Sequence, residues 1–295
     1  IIGPYRRNNV RLVANFARNK DITFVSPYSA SSNISDRNPN YIQVNPSLRS
    51  HCASIVQHVK ANYENEDVVV IARDENDELG WVETIQEFNK TFVTDNDTLS
   101  FREYVVSDKT ADFRDLNVEN LIRPGGTTVF IVPSYRNENF IYSLFRQIAV
   151  SKNVEDRVVV YGFQPWMNYD RIDFDFFENL NVHVSSGSFI DKYDPEIQLF
   201  MRKYFEEYGM PPEDEVFLGY DVMLYFGRML KKYGTKFQVS LEREDPETYL
   251  QTQFDIERVI NNPNLINDNL NRVDQWMNKF VHILKFQNYH YQPAD

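Results

Sequence analysis

The segment TTVFIVPSYRNENFIYSLFRQIAVSKNVEDRVVVYG, residues 127–162, decides how the rest of the chain is read. It opens on an apolar run, TTVFIVP (127–133). It passes into NENFIYSLFRQIAV (137–150), a helix with Asn137 in the N-cap place. It closes on a second apolar run, RVVVYG (157–162). That is strand, helix, strand. Runs with no polar alternation belong to sheets covered on both faces.

The same alternation extends upstream. VVVIA (68–72) is another fully apolar strand, WVETIQEFNKTF (81–92) an amphipathic helix and FREYVV (101–106) a strand. VENLI (118–122) reads as a short helix stopped by Pro124-Gly125-Gly126. Nearer the start, ITFVS (22–26) and YIQV (41–44) are short strands. Residues 48–63 put Cys52, Ile55, Val56 and Val59 on one helical stripe. Downstream, NVHVSSGSF (181–189) is a strand running into a small-residue turn. Residues 194–208 form a helix with Asp194 as cap, Pro195 in its first turn and Gly209 at its end. A second long helix covers 213–233 and ends at Gly234. A polar stretch leads to QFDIERV, Asn and Asp dominate 261–274, and KFVHILKFQ (279–287) closes as an alternating strand.

A chain of 295 residues implies two compact units. The alternation makes the fold class α/β, with mostly parallel sheets in two Rossmann-like lobes. Neither end block holds enough strands for a sheet of its own, so the lobes are expected to be discontinuous. Lobe I takes 1–45 and 188–252; lobe II takes 46–187 and 253–295. The chain then crosses between lobes three times.

Composition excludes several functions. The formal net charge is −12, with 31 Lys+Arg against 43 Asp+Glu, which argues against a nucleic-acid or anionic-membrane surface. No stretch approaches the ~20 apolar residues of a membrane span. Cys52 is the only cysteine, so neither an intrachain disulfide nor a cysteine zinc cluster forms. It lies on an apolar stripe, where a packing cysteine is the better reading than a nucleophile.

Catalytic patterns are also missing. Gly125-Gly126 precedes a strand and lacks the Lys-Ser/Thr of a phosphate loop; no GxGxxG or GxSxG occurs. His51 and His58 share a helix face without acidic or thiolate help, and His282 and His290 lack ligand spacing, so no metal or other cofactor is expected. Asp173, Asp175 and Glu178 alternate with apolar residues as a solvated face does, although a carboxylate pair is what a glycosidase uses. Asp74, Glu75, Asp77 and Glu78 read as a solvated turn.

What remains are the carboxyl ends of the strands, where open parallel sheets bind ligands. They are Pro4 to Asn9, with Tyr5, Arg6, Arg7 and Asn8; Ser26 to Ser32, with Tyr28, Ser29, Ala30 and Ser31; Arg73-Asp74; Ser134-Tyr135; Gln164 to Trp166; and Ser185 to Ser188, with Ser185 and Ser186 foremost. Hydroxyls, amides and aromatics dominate them, which is the chemistry of a binding cleft. A helix starting after Pro4 also offers free backbone N–H groups to an anion.

The opening IIGPYRRNNVRLVANFARNKDITFVSPYSASS resembles lobe I of the type I periplasmic binding proteins, the family of the leucine/isoleucine/valine-binding protein. NPNYIQVNPS (38–47) is similar to that family's first crossover, VVVIA to the first strand of its lobe II, and FLGYDVMLYFGRMLKKYG (217–234) to its Tyr-Asp helix, here Tyr220-Asp221. The version found behind LysM modules in Bacteroidetes-type bacteria is the nearest in flavour. The resemblance implies a non-enzymatic, extracytoplasmic or periplasmic protein that closes two lobes on a small ligand. It places the ligand's carboxylate and amino group near Tyr5 to Asn8 and Tyr28 to Ser31. It implies ABC transporter membrane components as partners, or peptidoglycan machinery if the chain has become a cell-wall interaction module without a ligand. Tyr5-Arg6-Arg7 stand where amino-acid binders often carry serines, so either the arginines meet a more acidic ligand or they face water. The family also has about two βα units before its IIGP strand. Lobe I is therefore expected to be incomplete in these residues: either a preceding segment supplies the missing units, or lobe I shows an exposed sheet edge that can pair with another copy as a homodimer.

Overall fold

The structure, a computed structural model, describes all residues except 32–33, 35–36, 64–65, 93–99, 108–109, 111–112, 114–115, 261–272 and 295, and for Arg7 the backbone alone. Most of the Asn/Asp-rich run 261–274, and Ser32, therefore lie outside the described residues. The chain divides into two units, residues 1–50 with 187–280 and residues 51–186 with 281–295.

The second unit rests on a seven-stranded sheet. Five strands run parallel, in the spatial order Phe101–Val106, Asp67–Arg73, Thr127–Ile131, Arg157–Phe163, Val182–Ser186. Counted along the chain, that order is second, first, third, fourth, fifth. It is doubly wound, with its switch point between the first and third strands. Val68 to Ala72 and Val158 to Tyr161 are buried throughout, as strands covered on both faces must be. The helices Asn76–Thr91 and Glu138–Ser151 follow the first and third strands. Asn137 caps the latter, accepting from the Phe140 N–H at 3.0 Å.

Two antiparallel strands, His282–Gln287 and His290–Pro293, extend the far edge. Their turn puts Asn288 and Tyr289 at φ 55° and 61°, the left-handed pair of a tight hairpin. The Glu178 carboxylate accepts from both turn N–H groups, and the Tyr289 hydroxyl donates to Asp175 at 2.8 Å. Asp173 caps the helix Phe174–Asn179 by accepting from the Asp175 N–H. The acidic trio of RIDFDFFENL thus holds a hairpin and a helix start.

The first unit has a smaller sheet, in the order Phe24–Ser26, Tyr41–Gln43, Gln275–Asn278, Ile256–Val259. The first three strands are parallel and the last antiparallel. Ile2 adds a parallel bridge to Val25 on the outer edge. Period-two alternation sends Val25 and Ile42 into one core with Val222, Tyr225 and Phe226 of the helix Asp214–Tyr233. It sends Phe24 and Tyr41 into another with Val10, Ala14 and Ala17 of the helix Arg7–Lys20. The helix Pro195–Tyr208 carries the expected Asp194 cap and the left-handed Gly209 at its end.

Several boundaries differ from the sequence reading. Residues 253–280 were expected in lobe II. They fall in the first unit instead, because Ile256–Val259 and Gln275–Asn278 pair with each other and onto Tyr41–Gln43. The closing strand is shorter than 279–287 and gains a hairpin partner. The acidic turn after Arg73 is the beginning of a helix. Its Glu78 is buried and binds the Arg73 guanidinium at 2.6 and 2.9 Å and the Arg73 backbone N–H at 2.8 Å.

Asp221, in the helix Asp214–Tyr233, is wholly buried and accepts from the Leu250 and Gln251 N–H groups at 3.1 and 3.0 Å. Burial pushes its carboxyl up to about 6, against the pull of those donors. In the second unit, burial pushes His51 and His183 down to about 4.

These shifts have opposite signs. Below pH ~6.5 the unfolded chain takes up protons on both histidines before the native state does, so stability falls on acidification towards pH ~4. Asp221 works the other way between its ordinary value of 3.8 and about 6, where the native state holds the extra proton. Thermal melts across that window should therefore show acid destabilisation that His51→Gln flattens and Asp221→Asn steepens. Parallel curves for all three proteins would contradict the assignment.

Gly162 supports a second prediction. A Cβ there would lie 2.3 Å from the Trp166 ring, and Trp166 is fully buried against Phe145. Gly162→Ala should cost about 1–3 kcal/mol in chemical denaturation, the usual cost of overpacking a fixed core.

Candidate functional site

The polar residues that follow strand ends in the first unit come together. Ile1 to Gly3 run beside Val25, with the Val25 N–H donating to Ile1 and the Gly3 N–H to Val25. Gly3, at φ 108°, makes the turn that only glycine takes at low cost. The helix Arg7–Lys20 starts immediately afterwards. Arg6 sits at its N-cap position without a side-chain cap, and no acidic residue occupies the first turn. The helix start is therefore positive and has spare N–H groups.

An open recess of about 620 Å³ lies at this helix start, lined by Tyr5, Arg6, Asn8, Asn9, Tyr28 and Glu215. The Tyr5 and Tyr28 rings meet edge to face at 4.8 Å. Burial and then the Glu215 charge raise the Tyr28 hydroxyl above its ordinary value, so it stays a neutral donor at physiological pH. Neither Arg6 nor Glu215 has an ion-pair partner among the described residues. The recess thus presents one unspent cation, one unspent anion, two amides and two aromatic walls.

Tyr5, Arg6, Asn8 and Tyr28 were expected from the sequence; Glu215 was not. It comes from the first turn of the helix Asp214–Tyr233, far away in sequence, and reads there as an ordinary helix-start acid. Arg7 opens its helix, and its side chain lies outside the described residues. Apart from Tyr28, the described residues of the Ser-rich turn do not line this recess. Ser26 and Ser29 are buried, and the Ser29 hydroxyl accepts from the Ser31 N–H at 3.4 Å. Ala30 is exposed and Ser31 half-buried.

In the second unit, the carboxyl ends flanking the switch point belong to Asp67–Arg73 and Thr127–Ile131. Asp74 is exposed there and Tyr135 half-buried, its ring under the Arg136 guanidinium. Arg73 faces inward to Glu78 rather than outward to a ligand. Gln164 is half-buried. Four expected residues are corrected to core positions. Trp166 is fully buried and its indole N–H donates to the Ser134 carbonyl at 2.8 Å. Ser134 itself, Ser185 and Ser186 are also fully buried. Ser185 is held by His51 Nδ1 at 3.0 Å and donates to the Gly162 carbonyl at 3.2 Å. The sequence places all four at strand ends but carries no sign of which face they take.

The model of the receptor family ligand binding region matches residues 1–280. The chain belongs to that family. The family is one of ligand-binding regions rather than enzymes, and no curated protein matches the chain. Among solved structures, a substrate-binding protein of an ABC transporter from Desulfitobacterium hafniense, in complex with Leu, is 14% identical with a TM-score of 0.60, over 99% of this chain and 79% of that one. A branched-chain amino acid ABC transporter periplasmic ligand-binding protein from Burkholderia xenovorans is 12% identical with a TM-score of 0.65, over 98% and 74%. A leucine-binding protein from Thermotoga maritima is 13% identical with a TM-score of 0.57, over 100% and 78%. The fold is that of the type I periplasmic binding proteins. Among the described residues, no helix is long and apolar enough to cross a membrane and no cluster of ligating side chains fits a metal ion.

The Arg73–Glu78 pair sets the shape of one strand end. Glu78→Gln removes the charge but keeps the size, and should cost about 1.5–3 kcal/mol in denaturant titration, the usual value of a hydrogen bond to a charged group. A cost near zero would show that the pair is not what fixes Arg73.

Proposed function

We propose that this chain is an extracytoplasmic solute-binding protein whose ligand is a small zwitterion of the amino-acid type, seated in the recess of the first unit. The observation that carries the reading is the pairing of opposite unspent charges in one recess. The start of the helix Arg7–Lys20, with Arg6, suits a carboxylate. Glu215 suits an ammonium group. The Tyr5 and Tyr28 rings offer a wall to an apolar side chain, and Tyr28 keeps a proton to donate. The lining of the recess offers charge, amides and aromatic walls, the chemistry of binding rather than turnover. The amino-acid ligands named for the D. hafniense and T. maritima proteins point the same way. The partners this role implies are the membrane components of an ABC transporter, with the protein in the periplasm or its equivalent. A cell-wall role behind a LysM-type module draws no support from these relatives.

Isothermal calorimetry against amino acids, dipeptides and simple carboxylates tests the reading. At least one zwitterion should bind, and Glu215→Gln should weaken it by about 10–100-fold, the equivalent of ~1.5–3 kcal/mol for a charged hydrogen bond. Binding of amine-free carboxylates that Glu215→Gln leaves unchanged would replace the zwitterion by an anion. Silence across the whole panel would overturn the proposal.

A further inference from the structure

The second unit carries another recess, at the opposite end of its sheet. It has a volume of about 960 Å³. Its residues come just before the strands Thr127–Ile131 and Arg157–Phe163, from the single turn Glu119–Leu121, and from the last turn of the helix Glu138–Ser151. It therefore lies at the amino ends of parallel strands. Tyr135 and Gln164 follow the carboxyl ends of those same strands, so this recess is not part of any strand-end site discussed above.

The charged side chains in its described lining are acidic. Glu119 and Asp156 line it, and among the described residues no Lys or Arg does. The last turn of the helix Glu138–Ser151 contains no basic residue, so its terminal carbonyls add a partial negative charge, and the C-cap Lys152 donates its ammonium to the Asn179 carbonyl at 3.1 Å. Asp156 is buried and accepts from the Gly125 and Asn153 backbone N–H groups, both at 2.7 Å. Those donors hold its carboxyl below the ordinary value, which keeps it charged. Glu119 is exposed, and its carboxylate has no partner among the described residues. The amides of Asn120 and Gln147 are likewise uncommitted. Val150, 79% exposed, and Pro124 supply an apolar surface beside them.

We infer that this recess is a second solute site, separate from the amino-acid site, that takes an organic cation bearing a protonated primary amine on a short alkyl chain. The ammonium group sits between Glu119 and the helix-terminal carbonyls, the alkyl chain lies on Val150 and Pro124, and the amides of Asn120 and Gln147 take a second polar group. A bare metal ion fits less well, because one of the two carboxylates is already spent on backbone donors and no third ligating side chain of that kind joins them.

Calorimetry on the intact chain with putrescine and spermidine, and with 1,4-butanediol as the uncharged control, tests this. The amines should bind and the diol should not. Glu119→Gln should weaken the amines at least ~10-fold, and Val150→Trp, which fills the recess from an exposed position, should abolish their binding. Both variants should keep the melting temperature and any zwitterion binding of the parent. No amine binding, equal binding of the diol, or amine binding that both variants leave intact would each overturn the inference. The recess of the first unit plays no part in this outcome, so the two sites stand or fall separately.

Discussion

The second unit depends on one constraint, the burial of both faces of a parallel sheet. Val68 to Ala72, Val129 to Val132 and Val158 to Tyr161 have no solvent side, so none of these strands can display a polar side chain along its length at tolerable cost. Polar chemistry is pushed to the strand ends. The carboxyl ends then divide between residues that pack back onto the sheet and residues that face out. Trp166 shows how tightly the first group is held. It can lie over the sheet only because Gly162 has no side chain, and its indole N–H finds the Ser134 carbonyl in the same step. One glycine thus takes an aromatic and a serine out of the set of ligand-facing residues.

This is also where sequence reading reaches its limit. The strands, the order of elements and the helix caps were legible because each rests on local chemistry. Asn137, Asp194 and Gly209 cap helices as their types predict. The placement of Tyr5, Arg6, Asn8 and Tyr28 was legible too, since it follows from strand ends next to helix starts. Burial at strand ends was not. Ser185 looks like a binding hydroxyl until His51, from a helix far earlier in the chain, meets it at 3.0 Å. Glu78 looks like part of a solvated acidic turn until the helix is seen to begin at Asn76 and to turn that carboxylate towards Arg73. Both errors have one cause: a polar residue's partner is set by tertiary contact, and spacing along the chain is silent on it.

The assignment of 253–280 failed for a related reason. Alternating polarity marks a strand but not its sheet. Trp276 and Met277 pair with Ile42 and Gln43 because the parallel strands Phe24–Ser26 and Tyr41–Gln43 leave an open edge there. Once Gln275–Asn278 occupies that edge, Ile256–Val259 is drawn in as its antiparallel neighbour. The Trp276 indole N–H then finds the Pro39 carbonyl at 2.9 Å, a partner available only in this sheet. Sheet membership is decided by such free edges, and no stretch of sequence shows an edge.

The two recesses show how the fold separates charge. At the start of the helix Arg7–Lys20, free N–H groups and Arg6 make a positive end, and Glu215 is brought against it without being consumed by it. At the end of the helix Glu138–Ser151, the carbonyls and Glu119 make a negative end, while the C-cap Lys152 donates to the Asn179 carbonyl. Several other charges among the described residues are paired. Asp21 meets Lys236, Glu244 meets Lys232, Glu247 meets Arg228 and Glu242 meets Arg258. With a net charge of −12, a carboxylate without a partner is unremarkable by itself. A concave surface that gathers unpaired charge at a helix terminus is different, because desolvation there would strengthen any charge that arrives from outside. Binding capacity in this chain is located where the fold concentrates charge and then leaves it unmet.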